Sequence, residues 1–302
     1  MKYRVATASL NLRDFPATDN NSRILTKIPF RHTVKLIDKT TTDWWKVKLL
    51  NTEKEGFVFS KDIEIVDETT EKKSDIEVPN FEPGVKGSLD NKEETYRPMA
   101  DPSIPFRDLT SLETKLTSIR NIIDKLDVSK SFRYQKDEAD TYCNIYTFDY
   151  CFFARAYIPR LRWTDKAFEE LEKVNEVVVA FDDTVRPFYS NYIYDWFENR
   201  ASEFGWKKID DVDALQKMVN ANGGVGIICA KRFILNKSGH VVVVVPETDT
   251  EKAYRVDGKV VYPLQSQAGM NNYNYFSEIR KDWWNNKDPE KGYSSAIFYY
   301  HD

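Results

Sequence analysis

DTYCNIYTFDYCFFARAYIP, residues Asp140–Pro159, is the stretch whose reading decides how the larger part of this chain folds. Asp140 or Thr141 offers a side-chain oxygen to free backbone donors and so can stand as an N-cap. A helix is therefore expected to begin near Thr141. Ile145, Phe148, Phe152 and Ala156 follow at helical spacing and predict an inward stripe. Cys143 then falls in the first turn of a buried helix. The positive end of a helix favours thiolate over thiol there, and the thiolate is the nucleophile. First-turn backbone N–H groups can also hold an oxyanion.

Around this helix the periodicity predicts others at Leu109–Leu126, Asp165–Val174, Ser190–Phe204 and Asp211–Asn220. Strands are expected at Val225–Ala230, His240–Val245, Ala253–Val256, Lys259–Leu264 and Ala296–Tyr300. Helices first and an antiparallel sheet second is an α+β pattern, assigned to residues 106–302. Residues 1–66 read differently. Short runs at Tyr3–Ala8, Val34–Asp38, Trp44–Leu49, Glu55–Phe59 and Ile63–Val66, parted by polar turns, predict a small all-β barrel. Residues 67–105 are rich in charge, Pro and Ser and are read as a linker.

The 302 residues exceed one average domain, which agrees with two folded units. A net charge of -4 gives no basic field for nucleic acid. Apolar runs such as Val241–Val245 and Val177–Phe181 are strand-sized, far short of the roughly 20 residues a membrane helix needs. The opening MKYRVATASLNLR carries no apolar h-region. Export by another route, or removal of a leader, is the expectation. Three cysteines, Cys143, Cys151 and Cys229, are too few and odd for a disulfide framework and leave at least one thiol free.

Cys151 lies two turns into the helix and Cys229 inside the apolar strand VGIICA, so both read as plain buried cysteines. Cys143 differs in position. Its partner should be a base, and there are three histidines. His32 belongs to the barrel, and His301 is the penultimate residue. His240 opens the strand HVVVVVP after a KSG turn, where it can face a cleft on a rigid mount. A Cys–His pair suits acyl transfer. A third group should orient the imidazole. Gln267, in VYPLQSQAG, is the first choice, with Glu247 and Gln265 as rivals. Glu247 lies about seven residues along the strand from His240, ~23 Å at full extension, too far without a sharp bend. No HExxH, CxxC, P-loop or GxGxxG is present, so no metal or cofactor is expected.

Several segments resemble a known family. RYQ (133–135), TYCNIYTFD (141–149), GHVVVVVPE (239–247) and QAGMNNYN (267–274) are similar to papain-like cysteine peptidases of the NlpC type, peptidoglycan-cleaving enzymes related to the CHAP amidases. The resemblance covers most of residues 133–302. It implies Cys143 as nucleophile, His240 as base and Gln267 as the third polar residue. It also implies an oxyanion-assisting tyrosine, which falls on Tyr134 in preference to Tyr142. The segment from LNLRDFPATDNNSRILTKIPFRHTVKLI through DWWKVKL to EGFVFSKDI resembles bacterial SH3-type domains, although Asp14 and Phe15 replace the usual small residues. Such domains often bind cell-wall peptide, and Trp44 and Trp45 are the candidate ligand-binding residues. One of the two is expected to pack inside the barrel.

The expected function is hydrolysis of a peptidoglycan amide bond, as an endopeptidase or amidase acting on the bacterial wall. It would serve as a lysin, a secreted wall hydrolase or an antibacterial effector. The expected partners are peptidoglycan and, for an effector, a cognate inhibitor protein, with no nucleic acid, no membrane insertion and a monomeric state. Two alternatives are a non-catalytic wall-binding protein and a Cys–His acyltransferase or deamidase acting on protein.

Overall fold

The computed structural model describes residues 2–7, 9–18, 22–29, 33–49, 54–65, 77–78, 89, 95, 97, 99, 101–138, 140–174, 180–234, 237–278 and 282–302. The chain divides into two compact units. The first holds Met1–Asn80 and Pro159–Pro187, and the second Phe81–Ile158 and Phe188–Asp302.

In the first unit β1 (Lys2–Val5), β2 (Ser9–Arg13), β3 (Ile24–Pro29), β4 (Thr33–Asp38), β5 (Trp44–Leu49), β6 (Glu55–Phe59) and β7 (Ile63–Ile65) form one sheet in the order β3-β2-β6-β5-β4-β1-β7. Every pairing in it is antiparallel. Alternation along the strands fills its core with Leu10 and Leu12, Val47 and Leu49, and Val58. Gly56 is required where β6 meets β2, because a Cβ there would lie 2.6 Å from the Arg13 carbonyl oxygen. Two strands, β2 and β3, form where the sequence reading placed one run ending at Ala8 or none. Their residues Asn11 and Lys27 pair across the ladder despite low strand propensity, because the flanking leucines and Ile28 are buried.

A short β8 (Glu77–Val78) also belongs to this unit. The rest of the expected linker lies largely outside the described residues. Those described toward its C-terminal end fasten into the second unit. Met99 and Ile104 are buried in the unit's core, and the carbonyls of Leu89, Thr95 and Arg97 are bound by Arg133. A composition rich in charge hid two apolar anchors there.

The second unit begins with α1 (Leu112–Leu126), capped by Ser111 in a reciprocal box with Thr114. Next comes α2 (Cys143–Phe153). After it the chain passes through β9 (Leu161–Trp163), α3 (Asp165–Val174) and β10 (Val185–Pro187), all in the first unit, where β9 pairs with both β8 and β10. The sequence reading had kept this excursion in the second unit, and the Val177 run lies mostly outside the described residues. The second unit resumes with α4 (Ser190–Asn199), β11 (Trp206–Ile209), α5 (Val212–Asn222), β12 (Val225–Arg232), β13 (His240–Val244), the hairpin β14 (Tyr254–Val256) and β15 (Lys259–Tyr262), β16 (Gln265–Gln267), β17 (Tyr273–Phe276) and β18 (Tyr293–His301). Six of these strands form an antiparallel sheet in the order β11-β18-β12-β13-β16-β17.

Both faces of this sheet are covered. Val241 and Val243 pack in a core with α1, α2 and α4, while Val242 and Val244 pack in another with α5, Trp283 and Trp284. That explains the unbroken valine run of β13: a strand buried on both faces has no polar side to alternate with. Gly226 lets α5 approach, since a Cβ there would lie 3.0 Å from Val219 and 3.2 Å from Leu215.

α2 departs from its sequence reading in two ways. It starts at Cys143, with Tyr142 rather than Asp140 or Thr141 at the N-cap and no side-chain cap bond. It also has no simple stripe. All of its residues but Phe152 are buried, and Ala156 lies beyond its end, so Phe152 and Ala156 do not continue an inward face. A helix apolar all round is a core helix. Its one charge, Asp149, is held by Arg133 Nε at 2.7 Å, with both side chains wholly buried. Tyr134 donates its hydroxyl to the same carboxylate at 3.1 Å. Removing one partner leaves a buried charge unmatched. Asp149→Ala is therefore expected to lose about 3–5 kcal/mol of unfolding free energy, and Arg133→Met with Asp149→Leu to lose much less, as read by urea denaturation.

Candidate active site

Cys143 is the first residue of α2, with 2% of its surface exposed. Its Sγ lies 3.3 Å from the Ser190 hydroxyl, which opens α4. Burial pushes the thiol above its ordinary value. Hydrogen bonds from Ser190 and from the backbone of Val241, Asn144 and Cys143 itself pull the other way. At this helix end burial works against the thiolate, and the surrounding donors work for it. Ser190 was invisible in the sequence: a serine 47 positions away carries no signal until α4 is placed beside α2.

His240 opens β13 and is 7% exposed. Its Nε2 lies 2.6 Å from Gln267 Oε1. The Gln267 amide is oriented by a second bond, in which its Nε2 donates to the Asn271 carbonyl at 3.0 Å. Only an NH₂ can donate to a carbonyl, so the oxygen of Gln267 is the atom that faces the ring. A carbonyl oxygen accepts, so the imidazole carries its hydrogen on Nε2. In the neutral ring this leaves Nδ1 as the basic nitrogen. Gly269 packs against the ring edge, where a Cβ would lie 3.2 Å from Cε1. On the other side is Trp283, edge to face with centroids 4.7 Å apart.

The structure thus brings His240 and Gln267 together, and Cys143 and Ser190 together, with His240 beside Trp283 and Cys143 in the core that holds Val241. It also ties the two halves of the site. Ser266, between Gln265 and Gln267, points to the other side of β16 and meets the hydroxyl of Tyr146 in α2 at 2.6 Å.

The remaining candidates lie elsewhere. Glu247 is held by Arg255 at 2.7 Å, by Asn220 and by the Ala253 amide, a latch between α5 and the β14–β15 hairpin region. Gln265 accepts from the Trp283 indole at 2.9 Å, one ring removed from His240. Tyr134 is fully buried with its hydroxyl given to Asp149, and Tyr142 gives its hydroxyl to Asp137 at 2.5 Å. His301 binds the carbonyls of Asp302 and Phe204, and His32 lies outside the described residues. Cys151 and Cys229 are buried and in no disulfide among the described residues. In the first unit Trp45 turns toward the core beside Tyr3, at 5.4 Å. Trp44 turns to the outer face against Phe59, at 5.7 Å, and both are half-buried.

With this geometry in view, comparison with known proteins gives one class. Residues 8–64 match the family model of the bacterial SH3 domain, so the N-terminal part is an all-β unit carrying that domain. No curated protein matches the chain. Among solved structures, one titled "Structure of NlpC2 from Trichomonas vaginalis" is similar over 92% of this chain and 71% of that one, at 9% identity and a TM-score of 0.19. A likeness at that score carries no argument about the fold.

Glu247 supplies a pH test. Hydrogen bonding from Arg255 holds its carboxyl down at about 2, against an ordinary 4.5. A carboxyl depressed in the folded state contributes stability that is full above the unfolded value and is lost as pH falls toward the folded one. Unfolding free energy should therefore drop between pH 4.5 and about 2, and Glu247→Gln should flatten that acid limb by lowering the plateau above pH 6.

Proposed function

We propose that this protein is a cell-wall hydrolase that cleaves an amide bond of peptidoglycan by a Cys–His thiol mechanism. The observation that carries the reading is the fixed imidazole of His240. Gln267, locked by Asn271, holds Nε2–H and so keeps Nδ1 as the base. The nucleophile is Cys143, whose Sγ lies 3.3 Å from the Ser190 hydroxyl at the start of α4. The match of residues 8–64 to the bacterial SH3 domain supports a wall-directed role for the first unit, with Trp44 and Trp45 as its ligand-binding residues. The division into a barrel at 1–66, a connecting stretch at 67–105 and a hydrolase at 106–302, less the excursion at 159–187 that groups with the first unit, belongs to the same reading.

In this scheme the proton moves as the attack occurs. His240 Nδ1 takes the proton from Cys143, and sulfur adds to the amide carbonyl. The first-turn amides of α2, which no side chain caps, receive the developing oxyanion. The imidazolium then returns its proton to the leaving amine as the C–N bond breaks. Water, deprotonated by the same nitrogen, releases the acid and restores the thiol. No step calls for a metal. Tyr134 plays no part in this scheme, since its hydroxyl is engaged by Asp149.

Release of soluble fragments from purified peptidoglycan is the test. Cys143→Ala and His240→Ala should abolish it with the thermal transition unchanged, and Gln267→Leu should lower kcat by about tenfold, the worth of one hydrogen bond in the reacting geometry. Wall clearing retained by Cys143→Ala would overturn the assignment.

A further inference from the structure

Two helices begin at the candidate nucleophile. Cys143 is the first residue of α2 and Ser190 the first of α4, and the Ser190 hydroxyl lies 3.3 Å from Sγ. A serine at a helix start ordinarily turns its oxygen back to cap its own helix. Neither helix here has a side-chain cap bond, and Ser190, wholly buried, turns its hydroxyl to the sulfur instead. The residues around Ser190 are fastened as well. The Phe188 carbonyl accepts from Nδ2 of Asn144, the residue after Cys143, at 3.4 Å. The Ser190 carbonyl accepts from the Cys229 thiol, in β12, at 3.4 Å. Asn191 Nδ2 donates to the Lys237 carbonyl at 2.9 Å, and Asn191 Oδ1 accepts from the Arg232 amide at 3.3 Å. Gly239, just ahead of His240, permits this approach, since a Cβ there would lie 2.7 Å from Asn191 Oδ1 and 2.3 Å from the Ala230 carbonyl oxygen. The start of α4 is thus pinned to the helix that carries the thiol and to the turn that leads into His240, with Ser190 between them.

We infer that Ser190 is a catalytic residue: its hydroxyl donates to Cys143 Sγ whenever that sulfur carries negative charge, on the way into the attack and again as the acyl group leaves. The inference rests on the reading of Cys143 as the nucleophile. A neutral thiol is a weak acceptor, so the bond contributes little while the proton is on sulfur. A thiolate only accepts, and a hydrogen bond to a charged group is about twice as strong as one between neutral groups. The bond therefore strengthens as charge develops, which is the condition for lowering a barrier rather than merely binding. In acylation the thiol proton passes to His240 Nδ1 while sulfur adds to the carbonyl carbon. In deacylation water adds to the thioester carbon, the C–S bond breaks, and its electron pair returns to sulfur. Ser190 keeps its own proton throughout and donates to that pair until the imidazolium reprotonates the thiol. Besides His240, the titratable group facing this cluster is Cys229, whose thiol burial pushes well up. Asp195, further along α4, is paired with Lys231 at 2.5 Å.

The experiment alkylates the full chain with iodoacetamide across a pH series. The label on Cys143 is followed by fragmentation mass spectrometry, which separates it from Cys151 and Cys229. Release of soluble fragments from peptidoglycan is measured beside it as kcat and KM. Ser190→Ala should move the alkylation profile up by about one pH unit and lower kcat about tenfold with KM unchanged, as expected for loss of a hydrogen bond to a charged group. Ser190→Thr, which keeps the hydroxyl, should restore most of both. Ser190→Gly, equally without a hydroxyl, carries the test if Ser190→Ala does not fold. A lowered thermal transition with the alkylation profile unmoved would make Ser190 a structural residue and overturn the inference. Cys143 left unlabelled across the whole series in the unsubstituted protein would overturn it too. If the unsubstituted protein releases nothing from peptidoglycan yet the profile moves as stated, the donor role stands and the hydrolase reading falls. Turnover in the unsubstituted protein with the profile unmoved in Ser190→Ala overturns the donor role alone.

Discussion

A helix with no wet face must settle every polar group it carries against protein, and α2 is such a helix. Its carboxylate, Asp149, is the demanding case. Arg133 answers it at 2.7 Å, and the same guanidinium reaches on to the carbonyls of Thr95 and Arg97. Breaking this pair would strand a charge in the core, so α2, the turn bearing Arg133 and the segment ahead of α1 stay together or come apart together. Everything at the site inherits this rigidity. Cys143 is the first residue of α2, and Tyr146, one turn on, reaches across to Ser266. The strand that orients the histidine is thereby tied to the helix that carries the thiol.

Burial acts on both groups of the candidate site. It raises the Cys143 thiol, and Gln267 accepts the hydrogen on Nε2 of the imidazole. A site built as a standing ion pair would need to hold two charges with 2% and 7% of their residues exposed.

Much of this was legible in the sequence, for identifiable reasons. α3 and β5 fall where periodicity sets them, at Asp165–Val174 and Trp44–Leu49, because each has a clear apolar period. That Cys143 stands near the start of a helix and His240 at the start of a strand was readable from the flanking pattern. Gln267 was readable as a polar residue on the strand after β15, although nothing in the chain distinguished its role from that of Gln265. Only the opposite bonding of their amides, one to an imidazole and one to an indole, separates them. Ser190 and Trp283 were missed because their meaning lies in contacts across 47 and 43 positions. The cap of α2 was misread because the helix begins at Cys143, which leaves Asp140 and Thr141 ahead of the cap position that Tyr142 fills. β11, β16 and β17 escaped notice because three or four residues leave too few repeats for a period to show.

The order Gln265–Ser266–Gln267 has a consequence of its own. Side chains in a strand obey parity, and β16 uses both parities at once: odd positions hold the two rings, and the even one holds Tyr146. A shift of its pairing by a single residue would bring Ser266 to the rings and drive both glutamine amides toward the apolar core around α2. Serine is too short to span either gap, and neither amide would find its carbonyl. The three letters therefore act as a frame check on the whole sheet, admitting one alignment of β13 with β16 and refusing its neighbours.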